Sequence, residues 1–350
     1  VVQPVAFGAP GHRSTIGREA AKGVRVSKPT VYTIAERCGV SASTVSRAFS
    51  RPEVISEAVK LRIYAVADEL QYRPNLLARG LTTGRTATVG LLIPDVTNPF
   101  FPPLIRAIGR AAEDHNLMVL LADVDGRNEA DILSTISDRV DGVIIAAPRS
   151  TDAELGAVAH RLPVVLANRN VEGVSSVLCD NDEALRQAVR HLADLGHTEI
   201  AYLQGPEGSW ASDVRGRAIS SEAARLQIEF VALGPFPSSF DGGRAAGVAL
   251  AATTVTGALF FDDVMAWGGL AELDRLGVSV PGDLSVVGCD DALLSSMLTP
   301  PLTTIAAPFD RLGQLTVEVL AGRIADPTAA PEVISCAGHL VRRGSTGPRA

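Results

Sequence analysis

Seven short stretches of this chain are almost continuously apolar, and each is bounded by Gly, Pro or Asp: "TVGLLIP", "LMVLLADV", "VDGVIIAAP", "LPVVLANR", "EIAYLQG", "GALFFDD" and "LSVVGCD". Runs of this length fit strands buried on both faces, which belong to parallel sheets. Helical patterns such as "NDEALRQAVRHLADLGH" and "DVMAWGGLAELDRLG" lie between them. The spacing predicts about ten strands, too many for one comfortable open sheet, so two similar α/β lobes are expected.

Composition narrows the class further. The chain has 350 residues, 46% hydrophobic and 20% charged, which is globular rather than disordered. Its four cysteines (Cys38, Cys179, Cys289, Cys336) show no Cys-x-x-Cys spacing, which suits a reducing compartment and favours neither a disulfide framework nor a zinc site. No apolar run reaches the ~18 residues of a membrane span. Residues 1–28 are mixed and Gly-rich, without the apolar core of a secretory signal, so a cytoplasmic protein with a loose N-terminal tail is expected, and 346–350 reads as a second tail. The net charge of −7 hides an asymmetry: residues 1–90 hold 13 Lys and Arg against six Asp and Glu, leaving 19 against 33 for the remainder. A basic head on an acidic body points to a polyanion partner, although basic segments are often only solvated.

That head, 29–73, reads as three short helices. "VYTIAERCGV" carries Val31, Ile34, Ala35 and Cys38 as an i, i+3, i+4, i+7 stripe, with Thr30 able to cap its start and Gly39 placed to end it. Ser41 can cap a second helix with Val45, Ala48 and Phe49 inward, and Ser56 a third with Val59, Ile63, Val66 and Leu70 on one face. Helix, Gly turn, helix, supporting helix is the helix-turn-helix plan. In "SASTVSRAFS" the exposed positions are hydroxyl-rich, with Ala42 small enough for a thymine methyl and Arg47 able to reach a phosphate or guanine. A surface helix merely rich in serine is the plainer alternative. "YRPNLLARGLTTGRT" follows; Pro74 ends the third helix and Asn75 can cap a helix of about two turns, marginal in isolation. Its Leu76, Leu77 and Leu81 need burial from a partner copy and a DNA groove, where a leucine can wedge between base steps.

"TIAERCGVSASTVSRAF", "ELQYRPNLLARGL" and "TGRTATVGLLIPDVTNPFF", in this order, resemble the lactose-repressor (LacI/GalR) family of bacterial transcription regulators, and the likeness continues to about residue 343. The resemblance implies double-stranded operator DNA as partner, a homodimer, and DNA contacts from Thr30, Tyr32, Ser41, Thr44, Ser46 and Arg47. It implies base reading by Ala42 and Ser43 and a hinge helix with Asn75, Ala78 and the wedge Leu81; Gly80 stands where the family often has a larger polar residue. It also implies a periplasmic-binding-protein-like body over 87–345 after a hinge at 74–86, one lobe formed by about 87–180 and 307–325, the other by 181–306 and 326–345.

Ligands in open α/β sheets sit beyond the carboxyl ends of the strands. Asp95, Asp123, Asn168, Asp262, Asp263 and Asp290 occupy those ends, and "SWASDVRGRA" adds Trp210 and Arg215. Carboxylates, an arginine and an aromatic plate suit a sugar or another small polar ligand. Asp at a strand end also caps the following helix, a reading that stays open for Asp263. By resemblance Phe100 and Phe101 line the pocket, and Asn168, Arg215, Asp262 and Asp290 contact the effector. Three positions depart from the family: Asp262-Asp263 for Asn-Asp, Ala218 for Gly, and Ala307 where many sugar-binding members carry Gln.

No Gly-x-Ser-x-Gly, Gly-x-x-x-x-Gly-Lys or His-Glu-x-x-His motif is present. His191 and His197 lie six apart, off a common helix face, and His197 reads as a helix-end residue favoured by the dipole. No enzyme, cofactor or metal is therefore expected. The rival reading is a transporter's solute-binding protein, which would need a signal peptide and no basic helical head. The expectation is a homodimeric repressor of a near-palindromic operator, switched by a sugar-like effector in the inter-lobe cleft.

Overall fold

The computed structural model describes residues 29–72 and 85–349, so the expected hinge residues Asn75, Ala78 and Leu81 lie outside the described residues. The chain divides into two compact units, Val1–Asn75 and Leu76–Ala350.

The first unit holds α1 (Val31–Cys38), α2 (Ala42–Ser50) and α3 (Glu57–Glu69). Thr30 caps α1 in a reciprocal capping box with Thr33, and Gly39 closes it at φ 60°, the left-handed conformation that glycine accepts without a Cβ clash. Ile34, Ala35, Cys38, Val45, Ala48 and Ile63 form the core, as the periodicity predicts, together with Ala67, which it did not mark. Phe49, Val59, Val66 and Leu70 pack beside them, partly buried. Ser56 occupies the N-cap of α3, but its hydroxyl makes no capping bond. The Phe49 ring lies 5.3 Å from Tyr64 and 5.9 Å from Tyr72, and Tyr64 Oη donates to the Ala48 carbonyl at 2.7 Å. These contacts fix α2 against α3.

The second unit begins with β1 (Thr88–Ile93), α4 (Phe101–Asp114), β2 (Met118–Asp123), α5 (Glu129–Ile136), β3 (Gly142–Ala146), α6 (Asp152–Ala159), β4 (Val164–Ala167) and β5 (Ser175–Asp180). It then crosses to α7 (Asp182–Asp194), β6 (Glu199–Leu203), α8 (Trp210–Arg225), β7 (Glu229–Leu233), α9 (Phe240–Ala251), β8 (Gly257–Phe260), α10 (Asp263–Arg275), β9 (Ser285–Val287) and β10 (Thr304–Ala306). It ends with α11 (Phe309–Ala325), β11 (Val333–Ala337) and β12 (His339–Val341). The first lobe is a six-stranded sheet in the order β11-β5-β4-β3-β1-β2; the second has β7-β6-β8-β9, and β10 pairs with β12 beside it. Every pairing within the two main sheets is parallel.

Burial on both faces explains the continuous apolar runs of six strands. β2 departs from that expectation, because it lies at the sheet edge with Met118, Leu120 and Leu121 exposed. Val89, Leu91 and Ile93 pack with α4 and α11 residues, while Leu92, Val143 and Ile145 pack with Leu133, Ile136 and Leu155 on the opposite face. The second lobe repeats this with Ile200 and Tyr202 on one side, Ala201 and Leu203 on the other. There α9 and α10 touch backbone to backbone: a Cβ on Gly268 would meet the Phe240 carbonyl oxygen at 1.9 Å, so only glycine fits.

Two expected boundaries are corrected. Residues 326–345 were assigned to the second lobe, yet β11 pairs with β5 in the first, so the last crossing falls near Gly338. Residues 346–350 were expected to be a tail, but Gly347 N–H donates to Ser285 Oγ at 3.0 Å and Arg349 N–H to the Leu195 carbonyl at 2.8 Å. Hydrogen bonds to the second lobe replace the apolar contacts whose absence made this segment look loose.

Candidate functional site

On the first unit, the start of α2 is built for polar contact. Ser41 Oγ accepts the Thr44 N–H at 3.1 Å and lies 2.8 Å from both Ser43 Oγ and Thr44 Oγ1. Val45 and Ala48 face the core, which leaves Ser43, Ser46 and Arg47 exposed on the other side. Ala42 is half-buried and packs against the core; Thr44 is half-buried, and Tyr32 on α1 is 74% exposed. Thr30 is committed to its cap, with its hydroxyl accepting Thr33 N–H at 3.4 Å. A helix N-terminus with free backbone donors, short hydroxyls and an arginine suits phosphates and base edges.

In the second unit a cleft lies between the lobes, at the carboxyl ends of the strands, with a volume of about 110 Å³. All seven expected effector residues (Phe100, Phe101, Asn168, Trp210, Arg215, Asp262 and Asp290) line it. An adjoining cavity of about 220 Å³ shares Asn168, Trp210 and Arg215 with it. The first lobe supplies an aromatic wall: Phe100 and Phe101 meet edge to face with centroids 5.1 Å apart, and Phe309 backs Phe100 at 5.2 Å. Asn168, at φ 62°, uses its side-chain carbonyl to accept Cys179 N–H at 3.3 Å, which leaves its amide hydrogens as the donor toward a ligand.

The second lobe supplies buried charge. Arg215 donates from Nη1 to the Phe261 carbonyl, stacks 4.7 Å above the Phe261 ring, and holds Nη2 3.6 Å from Asp290 Oδ1. Asp290 is 3% exposed, sits at φ 120°, and its Oδ1 has no hydrogen-bond partner. Burial pushes its carboxyl well above the ordinary range, against the pull of Arg215. Asp262 is raised by burial too, although Ser238, Met265 N–H at 2.9 Å and Asn98 at 3.3 Å all donate to it.

Three corrections follow. The cap of α10 is Asp262 rather than Asp263. Asp263 lies behind the cleft wall, accepting from Ala292 N–H at 2.8 Å and from Ser295 and Thr304 hydroxyls at 2.6 Å each, and burial raises it to about 6. Asp123 is not at the cleft; it accepts Val96 N–H at 3.3 Å. His197 is no helix-end cation: it is buried, contacts Thr256, Ser285 and Gly347, and burial lowers its pKa.

Sequence reasoning missed Asn98 and Ser238. Asn98 Nδ2 reaches across from the first lobe to donate to Ser238 Oγ at 2.8 Å and to Asp262. Asn98 lay inside the quoted "DVTNPFF" motif, but its role depends on a partner 140 residues away.

Comparison with known proteins agrees with this arrangement. Residues 30–75 match the pattern described as "Bacterial regulatory proteins, lacI family", and residues 189–346 match the "Periplasmic binding protein-like domain". The ribose operon repressor of Escherichia coli (strain K12) is 32% identical over 330 residues, covering 90% of this chain and 99% of that protein. A crystal structure of the lac repressor dimer bound to operator and the anti-inducer ONPF superposes with a TM-score of 0.81 at 28% identity, covering 92% of this chain and 100% of that one. A LacI family regulator from Enterococcus faecium with bound ribose matches with a TM-score of 0.67 at 30% identity, over 75% of this chain and 100% of its own.

Proposed function

This chain belongs to the LacI family of DNA-binding transcription regulators, and we propose on that footing that it is a homodimeric repressor of a near-palindromic operator, switched by a sugar-class effector in the inter-lobe cleft. The observation that carries the proposal is the coexistence of two unlike sites in one chain. One is a hydroxyl- and arginine-bearing helix start; the other is a cleft where seven expected ligand residues converge. A solute-binding protein has use only for the second.

Two heads would read two half-sites, since twofold protein symmetry calls for twofold DNA. Ser43, Ser46 and Arg47 would meet DNA directly, Tyr32 and Ser41 the phosphates, and Asn75, Ala78 and Leu81 the minor groove between half-sites. The effector acts through its different affinity for the two lobe arrangements. Asn98 is well placed to report that arrangement, because it bonds across the lobes. The action proposed is binding rather than catalysis, in the cytoplasm where operator DNA lies. No helix among the described residues is long and apolar enough to cross a membrane.

Fluorescence-anisotropy titration of the full chain against duplexes from upstream of its own gene tests this. Binding with a steep inverse dependence on salt is expected, together with a shift on adding ribose, glucose or lactose. Leu81→Ala should weaken operator binding strongly and leave sugar binding intact. Indifference to every duplex at low ionic strength would sink the reading.

A further inference from the structure

The charges around the cleft do not balance. Asp262, Asp263 and Asp290 are all at least 97% buried, and Arg215 is the one buried cation among the residues that line the cleft. Its guanidinium is already directed at protein groups: the Phe261 carbonyl, the Phe261 ring and Asp290. The carboxylate oxygens of Asp262 are met by Ser238, Asn98 and Met265 N–H. Asp290 Oδ1 is left without a hydrogen bond, in a backbone conformation that a non-glycine residue rarely adopts. A buried acceptor without a donor is costly, and a ligand hydroxyl or amine that reaches it removes the cost.

We propose that the cleft selects its effector by charge, accepting a neutral or amine-bearing polyhydroxyl ring that donates to Asp290 and excluding the phosphorylated or carboxylated form of the same ring. This rests on the reading of the cleft as the effector site. The phosphate or carboxylate of the anionic form adds acceptors and negative charge beside buried acids whose one buried cation is already engaged. To be held it must draw Arg215 from Asp290, leaving buried carboxylates uncompensated. At the rim, Arg149 is exposed and Asp95 is half-buried, holding Thr97 N–H at 2.7 Å. Being of opposite sign and open to water, these two do not reverse the sign inside. Exclusion of this kind works through the unpaired charge a wrong ligand creates.

The test is calorimetric titration of the full chain with ribose, glucose and glucosamine against ribose 5-phosphate, glucose 6-phosphate and gluconate, with operator binding followed in the same samples. A neutral sugar or glucosamine is expected to bind roughly a hundredfold more tightly than the anionic counterpart, the scale of one like-charge contact at short range in a partly screened site. Asp290→Asn should compress that ratio to less than about tenfold, because Arg215 is then no longer held by Asp290 and can meet the anion. The wild-type ratio decides alone should the variant fail to fold. A phosphorylated or carboxylated sugar that binds as tightly as its parent overturns the inference, as does Asp290→Asn weakening both forms by one common factor, or no neutral sugar or glucosamine binding at all. Operator binding separates this from the functional reading: a chain that holds operator and answers to a sugar phosphate loses only the charge rule, while one that ignores DNA loses the repressor assignment.

Discussion

The two lobes reach the cleft with one architecture and a different buried charge. Both present the carboxyl ends of parallel strands, yet the first lobe brings Phe100, Phe101 and Pro148 with the neutral amides Asn98 and Asn168, and the second brings Arg215, Asp262 and Asp290 beside Trp210 and Phe261. The aromatic wall continues the first lobe's apolar core, in which both phenylalanines are counted. The charged wall is set into the second lobe's interior, where burial holds Asp262 and Asp290 above the usual carboxylate range. The difference teaches a division of labour. A stable core can be extended into a shape-giving wall at little cost, whereas recognition is concentrated where the fold tolerates strain and unpaired polarity.

The largest expected effect breaks the charged wall. Arg215→Ala leaves Asp290 and Asp262 buried without a cation, and removing one partner of a buried pair costs about 3–5 kcal/mol. Thermal or urea unfolding should show the loss, and sugar titration should show no measurable binding. Arg215→Lys keeps the charge but not the planar fork that spans the Phe261 carbonyl and Asp290, so it should recover stability better than binding. If Arg215→Ala melted like the parent, the second lobe's buried acids would be protonated rather than charged.

A milder substitution sharpens the contrast from the other side. Phe100→Leu keeps the wall apolar and shrinks it, at a stability cost of about 1–1.5 kcal/mol. Neutral sugar affinity should fall by roughly tenfold or less through lost ring contact. The ratio of neutral to phosphorylated sugar should stay where it was, because this wall does not read charge. A changed ratio would mean that the two walls act as one unit.

The same contrast governs what could be read from the sequence. Seven of the twelve described strands were visible as apolar runs, and six of them are buried on both faces. The other, β2, is an edge strand that exposes Met118, Leu120 and Leu121, and it was visible only because its exposed positions are apolar as well. β5 was missed because Ser175 and Ser176, though buried, interrupt the apolar pattern; β7 and β11 were missed because edge strands are partly exposed and alternate. The effector residues sat at strand ends where chemistry and topology agree. Asn98 and Ser238 were not legible, since a small amide and a hydroxyl acquire meaning only when a crossing chain brings them within 2.8 Å. His197 misled for the related reason that its partners, Thr256, Ser285 and Gly347, lie at least 59 residues away.

His197 gives the smallest test, and it asks whether the second lobe's interior is alone in responding to protons. Its Nε2 lies 3.2 Å from the Gly347 carbonyl, which can only accept, so Nε2 carries the hydrogen and Nδ1 accepts from Thr256 Oγ1 at 2.8 Å. Burial lowers its pKa, the Gly347 carbonyl works the other way, and the nearby Arg349 adds to the lowering. The unfolded chain therefore takes up a proton near pH 6.5 that the folded lobe refuses. The contribution to stability is full above that pH and is lost as pH falls below it. His197→Gln should cost about 1–3 kcal/mol at pH 7.5, through hydrogen bonds left unmade, and the gap to the parent should narrow towards pH 5. The buried acids shift both proteins alike, so they cancel in the difference. Ser175→Ala, which removes an acceptor for Glu332 N–H in the first lobe, should instead show a gap that does not change with pH. Parallel curves for His197→Gln and its parent would mean that the folded lobe does not lower the imidazole's pKa, and the proton response would no longer distinguish the two lobes.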